Sequence, residues 1–583
     1  MTFTYFVSAA DWGAIAPELV MAGMALIVML VDLLLPQEGP SSKHSGPANY
    51  FVLPLLSFIG VLGSIAATII LFNRPVVYEI FGGTATALNQ AFNGMIGYDQ
   101  GSLYGYIIIL CASGLGLLFS PAYLKRMKIV HQGEYYALFL LATVGMMILA
   151  AATSFLSVFL GLEMLSLALY ILCAFMGQRK SSQEAGLKYF LLSSFASAFL
   201  LYGAALTYGA TGSTFFANIR LSVTRSLAVS PPIPGTIVHV PTMLLIAMAL
   251  LAIGFSFKVS AIPFQAWTPD VYQGAPGPVT AFMSVGTKAA ALIAFARVFD
   301  VVFGIALKEW QPVIWAIAIL TIIGGNIMAV VQTNAKRLLA YSSIAHAGYL
   351  LIGVVIGGVA GISAILFYLL CYTFMNLGAF GILSMLEKSD GTGSDVKDLR
   401  GLWHRQPMLA GLLAVFLFAL AGFPPMAGFA GKYYMFYVAL VNGHPELLII
   451  GVLASVLGMY YYLRVIATMF MEQEPQDAVA EVSTTAPVAP AVTTARGAAR
   501  IRISGIPASG STATAVAVKP TTSTLMRVAT PVESATNTEQ RNDLSWVSWL
   551  GVALATIGVF LMGTVLPFWL VNIAQQAAQT MLR

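Results

Sequence analysis

The sequence predicts an all-α polytopic membrane protein of about fourteen transmembrane helices, on three observations. Hydrophobic residues make up 58% of the 583 and charged residues only 9%, whereas soluble domains carry roughly 25% charged residues. Apolar runs of about 20 residues, long enough to span a hydrocarbon core as helices, recur along the whole chain. The basic residues are spread unevenly over the intervening loops, as they are between the two faces of a membrane.

Hydropathy and loop chemistry place the spans near 15–35, 51–72, 103–120, 135–152, 154–176, 187–209, 242–267, 279–299, 312–331, 338–357, 361–386, 408–440, 445–471 and 546–574. The start of the chain lacks a basic n-region and a small-residue cleavage site, so 15–35 reads as a retained first span. Segment 472–543 runs through Ala, Thr, Val, Ser and Pro with few aromatics, and such a composition buries too little apolar surface to fold alone. It is expected to be a disordered cytoplasmic linker. The organisation is then a three-helix segment 1–134, five-helix repeats 135–299 and 312–471, the linker 472–543 and a last helix in 544–583.

The repeats rest on two matches. Gly254-Phe-Ser-Phe-Lys258 corresponds to Gly428-Phe-Ala-Gly-Lys432 at an offset of 174, and Ala185-Gly186 to Ala360-Gly361 at 175. Each pair lies five spans apart. Five is odd, so the second copy is expected to be inverted in the membrane, with spans 7 and 12 broken by Pro263 and by Pro424-Pro425.

Orientation follows from charge. With the N-terminus outside, the inner loops hold Lys43, Lys125, Arg126, Lys128, Arg179, Lys180, Lys336, Arg337, Lys388, Lys397, Arg400 and Arg405. The outer side holds only Arg74, Arg220, Arg225, Arg297, Lys308 and Arg583. Both termini are therefore expected outside a bacterial inner (plasma) membrane. The net charge of +5 comes with no basic run interleaved with aromatics, which argues against a nucleic-acid partner. Cys111, Cys173 and Cys371 lie in apolar segments without CxxC spacing or neighbouring His. They read as small hydrophobes, so no iron–sulfur, haem or zinc site is expected in this chain.

The basic residues left inside spans are Lys188, Lys258, Lys288, Lys432 and Arg464, and Glu163 is the acidic residue near mid-span. A charge at the bilayer centre costs about 2.5–3.5 kcal/mol on insertion scales, so each needs a functional or pairing reason. Lysine suits proton transfer, because burial and a nearby carboxylate act on its proton in opposite directions. Lys258 and Lys432 sit beside helix breaks whose freed carbonyls are expected to solvate an ammonium. Glu163 is expected to lie close to Lys258 and to modulate its proton. Lys188 and His346 are weaker candidates for a relay. Arg464 is expected to snorkel, and Glu18 and Asp32 to anchor span 1 at the two interfaces.

Four segments carry a family resemblance: Phe257–Pro276 (FKVSAIPFQAWTPDVYQGAP), Ser284–Lys288 (SVGTK), Lys336–Tyr349 (KRLLAYSSIAHAGY) and Gly422–Lys432 (GFPPMAGFAGK). They resemble the antiporter-like membrane-arm subunits of respiratory complex I (NADH:quinone oxidoreductase), and the subunit N type most closely. Lys288 stands where the L and M types usually show a His-Ala-Ala-Thr string, and Lys432 where the M type usually has glutamate. The resemblance covers nearly the whole chain apart from 36–50, 73–102, 210–240 and 472–543. It implies Glu163 and Lys258 as a central pair, Lys288 as a middle relay and Lys432 as a terminal lysine, moving protons while quinone is reduced elsewhere. It implies no cofactor in this chain, with NADH, FMN, iron–sulfur clusters and quinone bound by partner subunits. It also implies M-type and small K-type neighbours in the bilayer. A subunit of a multi-subunit cation/proton antiporter and a non-pumping structural subunit are the alternatives.

Overall fold

The computed structural model describes residues 9–35, 49–72, 90–129, 132–228, 240–388, 393–471 and 546–582. The expected linker 472–543 lies outside the described residues. The main helices are α1 (Ala16–Leu34), α2 (Asn49–Phe72), α3 (Gln100–Arg126), α4 (Gly133–Ala150), α5 (Phe155–Cys173), α6 (Lys180–Thr211) and α7 (Thr242–Val259). They continue as α8 (Gly277–Ala296), α9 (Leu307–Val330), α10 (Ala335–Ile356), α11 (Gly358–Leu386), α12 (Pro407–Ala421), α13 (Ala427–Val441), α14 (Pro445–Met471), α15 (Trp546–Phe560) and α16 (Pro567–Leu582). Among the described residues, 13 helices are long and apolar enough to cross a membrane. The shorter α12 and α13 together make the broken twelfth span.

Polar side chains set several of the helix starts. Asp99 accepts from Ser102 N–H at the head of α3, Ser154 from Leu156 N–H at α5, and Asn334 from Arg337 N–H at α10. Gly212, at φ +72°, closes α6 in the left-handed region. Contacts between span ends follow up–down alternation. Gly97 N–H donates to Ala151 O, Ser154 bridges Phe215, and Gly358 N–H donates to Asp300 Oδ2, all on one face. On the opposite face Arg126 reaches the carbonyls of Ser384 and Met385, Arg179 pairs with Glu387, and Asn334 bridges Asp395. Every residue of α8 is buried, because α3, α4, α5, α7, α10 and α11 surround it. Large apolar residues of α1, α2, α6 and α14 stay exposed, as a bilayer solvent allows.

The structure corrects several expectations. Span 7 leaves the helix at Val259 rather than 267: Ser260 takes φ +66°, and a short helix, Trp267–Gly274, follows. Span 9 begins at Leu307 rather than 312, because Trp310 is buried there and donates its Nε1–H to Phe303 O at 3.0 Å. Glu18 is no interfacial anchor; it is 4% exposed and accepts from the Tyr106 hydroxyl. Arg297 and Lys336, read as loop charges, are 3% and 1% exposed and are ion-paired with Asp99 and Glu387. Burial pushes the Asp99 carboxyl up, but the charge and hydrogen bonds of Arg297 override it and hold Asp99 below the usual carboxylate range. Arg464 does not snorkel alone. Its guanidinium donates to Val330 O (2.7 Å) and Gln332 O (2.6 Å), satisfying carbonyls left open at the end of α9.

Candidate functional site

Three lysines sit deep in the bundle without an ion-pair partner among the described residues: Lys258 (2% exposed), Lys288 (1%) and Lys432 (7%). Each ammonium is solvated by the protein instead, in three different ways.

Lys258 lies in the last turn of α7. Two carbonyls at the break beside it are already taken, since Phe257 O accepts from Ser260 N–H and from Trp267 Nε1–H (3.1 Å) and Ser256 O accepts from Ala261 N–H. Two hydroxyls take over: Lys258 Nζ donates to Ser166 Oγ (2.7 Å) on α5 and to Ser193 Oγ (2.8 Å) on α6. A hydrogen bond to a charged group contributes about 1.5–3 kcal/mol, so two offset the insertion cost. Glu163, one turn before Ser166, lies within electrostatic reach of Lys258 without forming an ion pair. Its Oε1 is buried and has no hydrogen-bond partner among the described residues. The groups that touch the ammonium are thus the two serine hydroxyls, with Glu163 nearby.

Lys432 behaves as its broken helix predicts. Gly422, at φ +94°, ends α12, and Pro424-Pro425 prevents its continuation. The carbonyls of Leu420 and Ala421 accept from Lys432 Nζ at 3.0 and 3.2 Å, and Ser455 Oγ accepts at 2.9 Å. The negative end of the α12 dipole therefore faces the cation. The order differs between the two spans: Lys258 precedes its break and Lys432 follows it, so only Lys432 can reach back to an opened helix end.

Lys288, at the centre of α8, donates to Ser343 O (3.0 Å) and to the Ser343 hydroxyl on α10. From Ser343 the polar chain steps to its neighbour Ser342, which is hydrogen-bonded to the Tyr462 hydroxyl. Tyr462 lies 3.4 Å from His346 Nε2, and the Tyr368 hydroxyl lies 2.7 Å from His346 Nδ1. Both Lys288 and Lys432 act electrostatically on His346. The imidazole therefore lies within electrostatic reach of both lysines, and the polar path from it toward Lys288 passes from Ser342 to Ser343 as chain neighbours rather than through a hydrogen bond. Lys188 belongs elsewhere. It is 40% exposed and pairs with Glu184 (2.6 Å) and Asp270 (2.8 Å), at a cavity of about 350 Å³ also lined by Arg179, Arg337 and Glu387.

Sequence reading missed Ser166, Ser193, Ser343 and Ser455, the hydroxyls that solvate the lysines, and Glu387, which binds Arg179 and Lys336. A serine in an apolar span is unremarkable by composition, and Glu387 closes α11 where a loop charge is ordinary. Among the described residues no group of three or more His, Cys, Asp or Glu is placed to hold a metal ion.

The fold and these unpaired lysines define a polytopic helical membrane protein with titratable groups strung through its core. A family profile described as "NADH:quinone oxidoreductase/Mrp antiporter, TM" matches residues 152–458. NADH-quinone oxidoreductase subunit N of Trichlorobacter lovleyi is 43% identical over 458 residues, 79% of this chain and 87% of the relative. A chain of respiratory complex I from Thermus thermophilus, solved with bound aureothin, aligns at TM-score 0.61 and 32% identity over 79% of this chain and 90% of that one. A chain of the Mrp complex from Dietzia sp. DQ12-45-1b aligns at TM-score 0.69 and 18% identity over 97% and 99%, a likeness of fold alone. The chain belongs to the NADH:quinone oxidoreductase/Mrp antiporter membrane family.

Proposed function

We propose that this chain is a proton-translocating, N-type subunit of a bacterial NADH:quinone oxidoreductase. The observation that carries the proposal is the set of three buried lysines held by hydroxyls and carbonyls rather than by carboxylates, a solvation that leaves each amine able to release its proton. In this reading Lys258, Lys288 and Lys432 are the carriers, His346 relays between the last two, and Glu163 modulates Lys258. Lys188 is reassigned to the ion pairs of the polar cavity. This chain holds no redox centre; NADH, FMN, iron–sulfur clusters and quinone belong to partner subunits, with M-type and small K-type neighbours in the membrane. The subunit N relatives at about 40% identity favour this reading over a stand-alone cation/proton antiporter.

The test is purification through a tag on this chain. Flavin and iron–sulfur subunits are expected to copurify, and the reconstituted assembly to acidify one vesicle compartment when given NADH and quinone. An assembly lacking those subunits that instead exchanges sodium for protons would overturn the proposal in favour of the antiporter.

The same reading places 472–543 in the cytoplasm and both termini outside. Protease added to inside-out vesicles is expected to cut within that segment and leave two membrane-embedded fragments. Cleavage confined to right-side-out vesicles would reverse the orientation.

A further inference from the structure

Each of the three deep lysines lies over the face of a tyrosine. Lys258 Nζ is 5.4 Å from the Tyr189 ring centroid, Lys288 Nζ is 5.6 Å from Tyr272, and Lys432 Nζ is 5.3 Å from Tyr349. Cation–ring contacts of this kind arise roughly once per 70–80 residues, so their presence at every one of these lysines is not a background rate. Nor is it inherited from the internal repeat. Lys258 and Lys432 correspond at an offset of 174, but their rings come from α6 and α10, which are not corresponding spans, and Tyr272 comes from the short helix after the α7 break.

The rings are held rigidly. Tyr189 stacks on Trp267 at 4.7 Å and 12°, and Trp267 stacks in turn on Phe257 at 5.4 Å. Trp267 also meets the edge of Tyr272 at 6.2 Å, so one indole positions the rings of two lysines. Tyr349 packs edge-on against Phe436, and its hydroxyl accepts from Asn326 Nδ2 at 3.2 Å. The Tyr189 hydroxyl has no hydrogen-bond partner among the described residues. At these two positions the part of tyrosine that faces the ammonium is the ring.

We propose that Tyr189, Tyr272 and Tyr349 are the cation-holding faces of the three lysines, and that the ring, not the hydroxyl, sets how readily each amine takes up and yields its proton. This rests on the lysines being proton carriers. A carboxylate at 4 Å holds an ammonium by about 4 kcal/mol at an effective dielectric near 20, enough to trap the proton. A ring face attracts the cation more weakly and offers no competing proton acceptor. Charge is thus accommodated at three points along the core without a fixed counter-ion at any of them.

The experiment uses the whole assembly in proteoliposomes and reads NADH-driven proton pumping against pH. Tyr189→Phe and Tyr349→Phe, which keep the ring, are expected to keep the pH of half-maximal pumping. Phenylalanines carrying one, two and three ring fluorines at position 189 or 349 retain the shape but progressively drain the negative face. They are expected to move the pH of half-maximal pumping downward stepwise, by about one unit in total, equivalent to about 1.4 kcal/mol. Because the fluorinated rings are nearly isosteric, the series stays informative even where Tyr189→Leu fails to assemble. A fluorine series with the profile of plain phenylalanine would overturn the proposal, as would a Tyr→Phe shift as large as that of the trifluoro ring. Lys258→Ala separates the two levels of argument. Normal pumping in that variant removes the carrier reading itself, whereas blocked pumping beside a flat fluorine series removes only the role of the rings.

Discussion

Replacing Lys258 by alanine in the assembled complex is expected to cut proton pumping to below about a tenth, a modest loss beside the roughly 10²–10⁴-fold that a positioned proton-transfer group contributes. The pocket left behind tolerates the change. The Ser166 hydroxyl already donates to Leu162 O, so it is not orphaned when the ammonium goes. Glu163→Gln is expected to behave differently. Glu163 makes no ion pair among the described residues, so its loss breaks no direct contact to a cation. Lys258 keeps both serines but loses the negative charge in its surroundings, and the charged amine becomes harder to reach at neutral pH. Pumping by Glu163→Gln should therefore fall near pH 7.5 and recover toward pH 6, while Lys258→Ala stays low throughout. Proton uptake by reconstituted vesicles at several pH values checks this. Two assembled variants that both pump normally across the range would leave these residues a structural role only.

The largest effect on stability is expected at Glu387. Its carboxylate is 1% exposed and receives Arg179 at 2.6 Å and Lys336 at 2.6 Å, with the Tyr123 hydroxyl donating at 3.3 Å. It therefore ties the end of α11 to α3, α10 and the loop after α5. Glu387→Gln removes the carboxylate that Arg179 and Lys336 share, and breaking a buried pair in this way costs about 3–5 kcal/mol. The melting temperature of the purified assembly, or its yield, should fall sharply. Adding Lys336→Met to Glu387→Gln removes one stranded charge and is expected to restore a large part of the loss. If Glu387→Gln alone melts like the native assembly, the cluster is not a structural lock.

The fold was legible because one physical cause dominates it. Hydrocarbon excludes unpaired backbone and charge, so apolar length alone announces the spans and rare buried charges announce themselves. Lys258, Lys288 and Lys432 stood out for that reason, and the break at Pro424-Pro425 predicted carbonyls for Lys432, which Leu420 and Ala421 supply. The same logic misplaced charges near span ends. Arg297 and Lys336 lie where a loop residue and a buried ion pair look alike in sequence, and only the partner decides. Around Lys258 the sequence pointed to Glu163, which lies within electrostatic reach, but not to the serines that touch the ammonium. Depth along a helix is readable from position, but the direction a side chain takes around the axis depends on which neighbour packs there.

By itself, then, the sequence determined that this chain is a multi-span helical protein, which spans are broken and which cations lie in its core, since these follow from local composition and the cost of charge in lipid. The tertiary structure alone decided what surrounds those cations: serines from α5, α6, α10 and α14, tyrosine faces from α6, α10 and the short helix Trp267–Gly274, and the Ser342–Tyr462–His346 chain. Those partners lie far from the lysines in sequence and meet them only when the helices pack, and serine and tyrosine are ordinary enough in a membrane span that nothing marks them beforehand.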